Sequence, residues 1–370
     1  VGNIIALYEK VYRSLKHEIL GGIYKPGDRI PSEKELTNSF KISRITSKKA
    51  LEKLVEEGIV YRQQGKGTFV SQYKEVNNIS PTTSYRKPLF GLIVTNFDDS
   101  YSSKLISSIE IASEGQCLII LKQSFGLPEK EEKIIKELLE YGVDGMIIYP
   151  AQAEHFSSEI LKMVVNKFPL VLIDRSFKGV AATAISTDNV NAAKMGMNYL
   201  FELGHEQIGV LSPRTIETTT IKDRFDGIFQ AYAERNSMVN RDFWCTKLKS
   251  TLSVPGETLE QDVEVITKYL KKHPEITALF ALEYHIALLA KRAIENLGRR
   301  VPEDISILCF DEPGNTLTGF IFTHLKQEED QIGSMALTRL LEMVDGEWSY
   351  IKEYVPASLV KGNSTCSLNM

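Results

Sequence analysis

Along residues 4–20 the apolar positions Tyr8, Val11, Tyr12, Leu15 and Ile19 recur at helical spacing, and Gly21-Gly22 stops the pattern. Pro26-Gly27 predicts a turn. Ser32 and Glu35 have the spacing of a capping box, so a second helix starts there and carries Leu36 and Phe40. After a break at Lys41-Ile42, Ser43 is a good N-cap for a third helix reaching about Glu57, with Ala50, Leu51, Leu54 and Val55 as its apolar stripe. Gly58 ends it, and two short strands follow at 59–62 and 68–70, joined by a Gly- and Gln-rich turn. Three helices and a hairpin within residues 1–71 predict a winged helix-turn-helix. Residues 72–88 are polar, with Ser-Pro-Thr-Thr-Ser and no apolar periodicity, and read as a linker.

From Leu89 onward the pattern changes. Continuous apolar runs at 89–94, 117–121, 145–149, 170–173, 208–211, 278–281 and 305–310 predict strands buried on both faces. Amphipathic stretches such as 101–114, 129–141, 189–203, 222–235, 258–272 and 284–297 lie between them. This alternation predicts an α/β fold with parallel sheets covered by helices. Residues 89–370 are too many for one small doubly wound sheet, so two lobes are expected.

Composition changes this picture little, but the distribution of charge changes it more. Apolar residues at 43% and charged residues at 25% are those of a soluble globular chain. No apolar run approaches the roughly 18 residues of a membrane helix, and Tyr8-Glu9-Lys10 interrupts any signal-peptide core, so a cytoplasmic protein is expected. Cys117, Cys245, Cys309 and Cys366 form no close pair and have no histidines at zinc spacing, which predicts buried thiols and neither metal nor cofactor. Residues 1–88 hold 16 Lys and Arg against 9 Asp and Glu, whereas the remainder holds 28 against 39. A basic small domain tied to an acidic large one points to a polyanionic partner for the first alone.

Four strings carry the chemistry of that first domain: Lys25-Pro-Gly-Asp-Arg-Ile-Pro-Ser-Glu-Lys-Glu-Leu36, Ser43-Arg-Ile-Thr-Ser-Lys-Lys-Ala-Leu51, Leu54-Val-Glu-Glu-Gly-Ile-Val60 and Gly65-Lys-Gly-Thr-Phe-Val70. In order and spacing they resemble the GntR family of bacterial regulators. The physical reading is compatible. A helix N-terminus entering the major groove needs small and basic side chains. Arg44 suits a bidentate pair with guanine, while Ser43, Thr46 and Lys48 suit phosphate. Gly65-Lys66-Gly67 makes a slim wing tip, and the resemblance also brings Lys34 and Gln64 close to DNA. Two positions depart from the family. Ser47 stands where an aliphatic residue is usual, on the face of Leu51 and Leu54, and must loosen the packing or find a backbone partner. Lys48 stands where arginine is commoner, which favours a phosphate contact.

The larger region, to about Thr365, resembles the LacI-type effector domain, itself similar to periplasmic ribose-binding proteins. The resemblance rests on Gly91-Leu-Ile-Val followed by Asp99-Ser-Tyr101, Gly142-Val-Asp-Gly-Met-Ile-Ile148, Pro169-Leu-Val-Leu-Ile-Asp-Arg175, Ser186-Thr-Asp-Asn189, Leu203-Gly-His-Glu-Gln-Ile208, Arg224-Phe-Asp-Gly227, Val301-Pro-Glu-Asp-Ile-Ser-Ile307, Phe310-Asp311 and His324-Leu-Lys-Gln327. It implies two lobes joined by crossing strands with a ligand between them. Carried over by position, the effector candidates are Asp99, Tyr101, Asp174, Arg175, Arg224, Asp311 and Gln327, with Asp188 either lining the cleft or holding the crossover. Alternating Asp and Arg suit a polyol, whose hydroxyls both donate and accept. Glu283-Tyr284 replaces the usual Asn-Asp, and Asp99-Ser100-Tyr101 replaces an Asn-Pro-aromatic motif, so Glu283 joins the candidates and the sugar stays open.

A GntR-type head on a LacI-type sensor is the arrangement of AraR-type arabinose repressors. The resemblance implies a homodimer on a pseudo-palindromic operator, repressing sugar-utilisation genes until a pentose or related monosaccharide binds. An activator, or a sensor of a sugar phosphate or purine, stays open beside it. An enzyme is disfavoured: Gly65-Lys66-Gly67-Thr68 lacks the spacing of a phosphate loop, and neither H-E-x-x-H nor G-x-S-x-G occurs. His205, in a helix-to-strand turn, reads as structural.

Overall fold

The computed structural model describes residues 7–20, 22–63, 66–71, 86–97, 100–151, 157–177, 179–214, 218–249, 258–311, 319–348 and 350–368. Asp99, Gln64, Gly65 and nearly all of the expected linker lie outside these residues. The chain divides into two units, Val1–Ser84 and Tyr85–Met370.

The first unit contains α1 (Leu7–Leu20), α2 (Glu33–Phe40), α3 (Arg44–Glu56), β1 (Val60–Gln63) and β2 (Gly67–Val70). Ser32 caps α2 through the expected reciprocal capping box with Glu35, and the Ser43 side chain caps α3 by accepting from the Thr46 backbone. Val11 and Leu15 of α1, Leu36 of α2, Ala50, Leu51 and Leu54 of α3, and Val60 and Val70 of the hairpin share one core. The strands pair antiparallel from Val60 opposite Val70 to Gln63 opposite Gly67. Residues 27–30 add a third edge, with Ile30 donating to Thr68 and Val70 donating to Asp28. Ser47 is fully buried and finds its partner in the backbone: its hydroxyl donates to the Arg44 carbonyl at 3.0 Å and lies 3.3 Å from the Thr37 hydroxyl.

The second unit has two lobes. The first lobe is built from β3 (Leu89–Val94), α4 (Ser100–Ser113), β4 (Leu118–Gln123), α5 (Pro128–Tyr141), β5 (Gly145–Ile148), α6 (Ser158–Val165), β6 (Leu170–Ile173) and β7 (Thr183–Thr187). The second lobe holds α7 (Asn189–Glu202), β8 (Ile208–Pro213), α8 (Thr219–Glu234), β9 (Trp244–Leu248), α9 (Leu259–Lys272), β10 (Ala278–Ala281), α10 (Tyr284–Asn296), β11 (Ser306–Phe310) and β12 (Thr323–Lys326). The chain then returns to the first lobe for α11 (Glu329–Val344) and β13 (Lys352–Val355), and ends in the second with β14 (Ser358–Val360). The sheets run β13-β7-β6-β5-β3-β4 and β14-β12-β11-β10-β8-β9, all parallel apart from the β12–β14 pair. Successive strands therefore occupy the same places in both sheets, a repeat of topology that no repeat of sequence announces.

Helices cover both faces of each sheet. In the first lobe α4 and α11 pack on one face and α5 and α6 on the other. In the second, α7 and α8 oppose α9 and α10. The expected two-lobed parallel α/β architecture is therefore present, with three crossings between lobes at 187–189, 326–329 and 355–358. Five strands are additional to the seven apolar runs: β7, β9, β12, β13 and β14. They carry Thr, Ser, Lys or His in short segments, so they lack an uninterrupted apolar run.

The contact of α7 with α8 depends on Gly227, where a Cβ would lie 2.1 Å from the Val190 carbonyl oxygen and 2.9 Å from the Ala193 Cβ. Backbone cannot yield as a flexible side chain does. Gly227→Ala is expected to destabilise the second unit by about 1–3 kcal/mol through overpacking. A thermal melt of the full chain measures this, and an unchanged transition would refute the close approach.

Candidate DNA-binding face and interlobe cleft

In the first unit the candidate residues cluster around the start of α3. The Ser43 and Thr46 hydroxyls lie 2.8 Å apart, a pairing that holds the cap and leaves Arg44 outside it. The Arg44 side chain is 84% exposed and, among the described residues, pairs with Glu33 at 3.6 Å, which also pairs with Arg62 at 3.4 Å. Lys48 is exposed and 3.7 Å from Glu52. Surface pairs of this kind contribute at most about 1 kcal/mol, so both cations can exchange carboxylate for phosphate. Lys34 and Lys66 are also exposed, and Gly67 takes φ +128° beside Arg29, a conformation that favours glycine. At the other end of α3, Glu57 accepts from Tyr12 at 2.5 Å and from Lys16 at 2.7 Å, which fixes α3 against α1. Ile45, a residue the sequence reading passed over, is 81% exposed beside Arg44.

In the second unit the candidates gather where strands of both lobes end. Asp174 follows β6 and Asp311 follows β11, the strand in the same place of the other sheet, and both have positive φ, 64° and 75°. Asp174 is buried, and its Oδ2 accepts from the Thr220 hydroxyl of α8 at 3.3 Å, a direct bond between lobes. Arg175 donates to the Pro150 and Ala151 carbonyls at 3.0 and 2.9 Å, and its guanidinium lies 5.0 Å from the centre of the Tyr149 ring. Burial works to lower the Arg175 pKa, but Tyr149 and the charges of Asp174, Glu283 and Glu131 outweigh it and raise it. The Tyr101 hydroxyl is buried without a hydrogen-bond partner among the described residues. Burial, then the charges of Asp174 and the ionisable groups around it, push its pKa well above the usual phenol value.

Arg224 is 3% exposed. Its Nε donates to Asn189 at 2.8 Å, its Nη1 donates to the Leu282 carbonyl at 2.5 Å, and its guanidinium lies 3.7 Å from the centre of the Phe310 ring. Gln327 bridges two crossings: its Nε2 donates to Asp311 and its Oε1 accepts from Thr187 at 2.6 Å. Asp188 caps α7 through the Asn191 backbone and side chain. Glu283 occupies the N-cap position of α10 without a side-chain capping bond. His205 bonds Thr277 and the Cys366 carbonyl, each at 3.0 Å, within the second lobe. Among the described residues no group of three or more His, Cys, Asp or Glu is placed for a metal ion, and no helix is long and apolar enough to cross a membrane.

Two of the three buried polar atoms without hydrogen-bond partners among the described residues, Tyr101 Oη and Arg175 Nε, belong to this cleft, and Arg175 Nε forms an ion pair with Asp174 Oδ2 at 3.5 Å. Buried polar groups are ordinarily paired, so their position favours a polar ligand or water. Two cavities of about 430 and 350 Å³ lie on the second lobe, and none of these cleft residues lines either. Thr220, Asn189, Tyr149 and Glu131 were absent from the candidates. Asn189 and Tyr149 follow strands, where open α/β sheets place their ligands, and that rule would have found them.

Residues 7–70 match the model of bacterial regulatory proteins of the gntR family, and residues 197–365 match the periplasmic binding protein-like domain. A GntR-type head and a periplasmic-binding-protein-like body share this chain. The chain is similar to an arabinose metabolism transcriptional repressor of Geobacillus stearothermophilus, 26% identical over 90% of this chain and 91% of that protein. The fold is similar to that of the transcription regulator CcpA of Lactococcus lactis, with TM-score 0.66 and 19% identity over 76% of this chain and all of that one. A LacI family regulator from Enterococcus faecium solved with bound ribose has TM-score 0.63 and 21% identity, again over 76% of this chain and all of that one.

Glu131 of α5 reaches the body's cleft indirectly. Its Oε2 accepts from the Ala151 backbone at 2.6 Å, so it holds the turn that also receives Arg175. Burial raises its pKa from 4.5 to about 7 against the opposing effects of the Ala151 hydrogen bond and Arg175. The folded value lies above the unfolded one. Its stabilising contribution is therefore complete below pH 4.5 and lost as pH rises through about 7. Relative to Glu131→Gln, the wild-type chain is expected to lose about 3 kcal/mol over that window. Urea unfolding of both proteins from pH 4.5 to 8 measures the difference, and a difference independent of pH would refute the burial argument.

Proposed function

We propose that the chain is a sequence-specific transcription repressor of sugar-utilisation genes, released from its operator by a monosaccharide, with a pentose as the leading effector class. In this reading residues 1–71 bind DNA, 72–88 link, and 89–370 sense the sugar and dimerise in the cytoplasm, without turnover of the ligand and without a cofactor. The observation that carries it is the gathering of Asp174, Asp311, Arg175 and Arg224 where strands of both lobes end, in a chain whose other unit exposes Arg44 and Lys48 on a capped helix start. Carboxylates accept from sugar hydroxyls and guanidinium groups donate to them. The gntR-family match, the arabinose repressor and the ribose-bound regulator support the same assignment.

Ser43, Arg44, Thr46 and Lys48 supply the DNA contacts of α3, Lys34 those of α2, and Gln64, Gly65, Lys66 and Gly67 those of the wing. Asp99, Tyr101, Asp174, Arg175, Arg224, Glu283, Asp311 and Gln327 serve the effector, with Asp188 at the hinge. A homodimer on a pseudo-palindromic site fits a first lobe whose edge strand β4 exposes Leu118 and Leu121, and whose α4 and following loop expose Ile111, Phe125 and Leu127. Apolar edges are normally covered.

A thermal-shift screen of arabinose, ribose, xylose, fucose and rhamnose tests the effector class, since a sugar at 100 times its Kd adds about 2.7 kcal/mol. The sugar found must also weaken binding to duplexes selected from a random library, with a coupling of about 1–3 kcal/mol that operator exerts equally on the sugar. Arg44→Ala is expected to abolish DNA selection and keep the thermal shift. Asp311→Asn, which preserves shape, is expected to weaken sugar by about 1.5–3 kcal/mol and leave DNA binding intact. Equal sugar affinity with and without operator would sink the coupling.

A further inference from the structure

Among the described residues of the head, Ile45 is the most exposed large apolar side chain, ahead of Ile23 at 68% and Leu7 at 60%. Ala50, Leu51 and Leu54 of α3 are buried in the head core and Val55 packs against it, whereas Ile45 is 81% exposed. It sits in the first turn, next to the exposed Arg44 and one turn before Lys48 and Lys49. A β-branched residue gains nothing as an exposed helix former. A lone exposed apolar side chain on an arbitrary surface would need no comment. Here the surface is a helix start surrounded by cations, which excludes an apolar protein partner more readily than a polyanion. On the floor of the major groove the one apolar group a base presents is the thymine C5-methyl, and aliphatic side chains recognise it by contact.

We infer that Ile45 reads a thymine methyl group, adding a shape-selective element to the hydrogen-bonding contact of Arg44. The inference rests on the proposed DNA-binding function and adds a base preference to it. Arg44 and Ile45 are consecutive on α3 and project about 100° apart around it, so the thymine lies within a step or two of the base that Arg44 contacts. The contact is dry and uncharged. It therefore leaves the salt dependence of binding unchanged, in contrast to Lys48 at phosphate.

The test uses the full chain. Duplexes are selected from a random library, and each thymidine of the consensus is replaced singly by deoxyuridine, which removes only the methyl group. Fluorescence anisotropy then gives affinities for wild type, Ile45→Ala and Ile45→Val. At one thymidine per half-site, deoxyuridine is expected to weaken the wild type about four-fold, the ~0.8 kcal/mol of one buried methyl group at 1.4 kcal/mol per decade. Ile45→Ala, which removes the contact from both half-sites, should bind the thymidine duplex about fourteen-fold more weakly and be indifferent to deoxyuridine, while Ile45→Val keeps most of the discrimination. If no thymidine is sensitive, or if the sensitivity survives in Ile45→Ala, the inference is overturned while the DNA-binding reading stands. If selection enriches no sequence at all, both fall.

Discussion

A guanidinium buried away from water must be solvated by protein, and at Arg224 that requirement fixes much of the body. Its donors use Asn189, at the start of α7 where the chain enters the second lobe, and the carbonyl of Leu282, just past β10. Its face rests on Phe310 at the end of β11. Asn189 in turn donates to the Thr187 carbonyl, at the end of the last strand before the crossing. One side chain on α8 thus ties together two strand ends and a crossover. Arg224 therefore frames the cleft at least as much as it faces into it. Replacing it would strip the Leu282 carbonyl and the Asn189 Oδ1 of this donor, so its loss cannot be equated with loss of a ligand contact.

The two aspartates at positive φ express the topological repeat in chemical form. Non-glycine residues in the left-handed region are uncommon, and aspartate is among those that tolerate it. Here the conformation recurs at equivalent places, after β6 in one sheet and after β11 in the other. Each chain reversal turns a carboxylate towards polar partners from a different element: Thr220 of α8 for Asp174, Gln327 of a crossing for Asp311. An open sheet places such strand ends on one edge, and two sheets joined by three crossings bring their edges together.

Much of this was legible because the central strands are buried on both faces and so consist of unbroken apolar residues, whereas the edge strand β4, read from a similar run, is half-exposed. Leu89–Val94, Leu170–Ile173 and Ala278–Ala281 match the expected runs end to end. The strands that escaped are of two kinds. Thr183–Thr187 and Thr323–Lys326 are largely buried yet polar, because they lead into the crossings and supply hydroxyls and carbonyls there. Trp244–Leu248, Lys352–Val355 and Ser358–Val360 lie at sheet edges with exposed positions, so apolar content does not mark them. The site shows the same division. Asp174 and Asp311 stand directly after readable strands. Thr220 and Glu131 sit on helices whose polar residues read as solvated, and their partners lie 46 and 20 residues away, a separation that local pattern does not span.

The energetic scale of the interlobe contact bears on how the body would switch. Hydrogen bonds to a charged group contribute about 1.5–3 kcal/mol, and the Thr220–Asp174 bond at 3.3 Å is at the long end of hydrogen-bond geometry. That is comparable to the roughly 1–3 kcal/mol typical of allosteric coupling. A ligand hydroxyl that takes Asp174 from Thr220 exchanges one bond between lobes for one to each lobe through the ligand. The first lobe would contribute Asp174 and Arg175 and the second Asp311. The relative position of the lobes would then depend on ligand geometry as well as on the three crossings that join them. Neither lobe needs to unfold or repack for this, since α4 with α11 and α7 with α8 remain within their own cores. A long hydrogen bond between lobes, over a cleft where the buried Tyr101 hydroxyl lacks a hydrogen-bond partner among the described residues, is a contact that a ligand hydroxyl can exchange without disturbing either core.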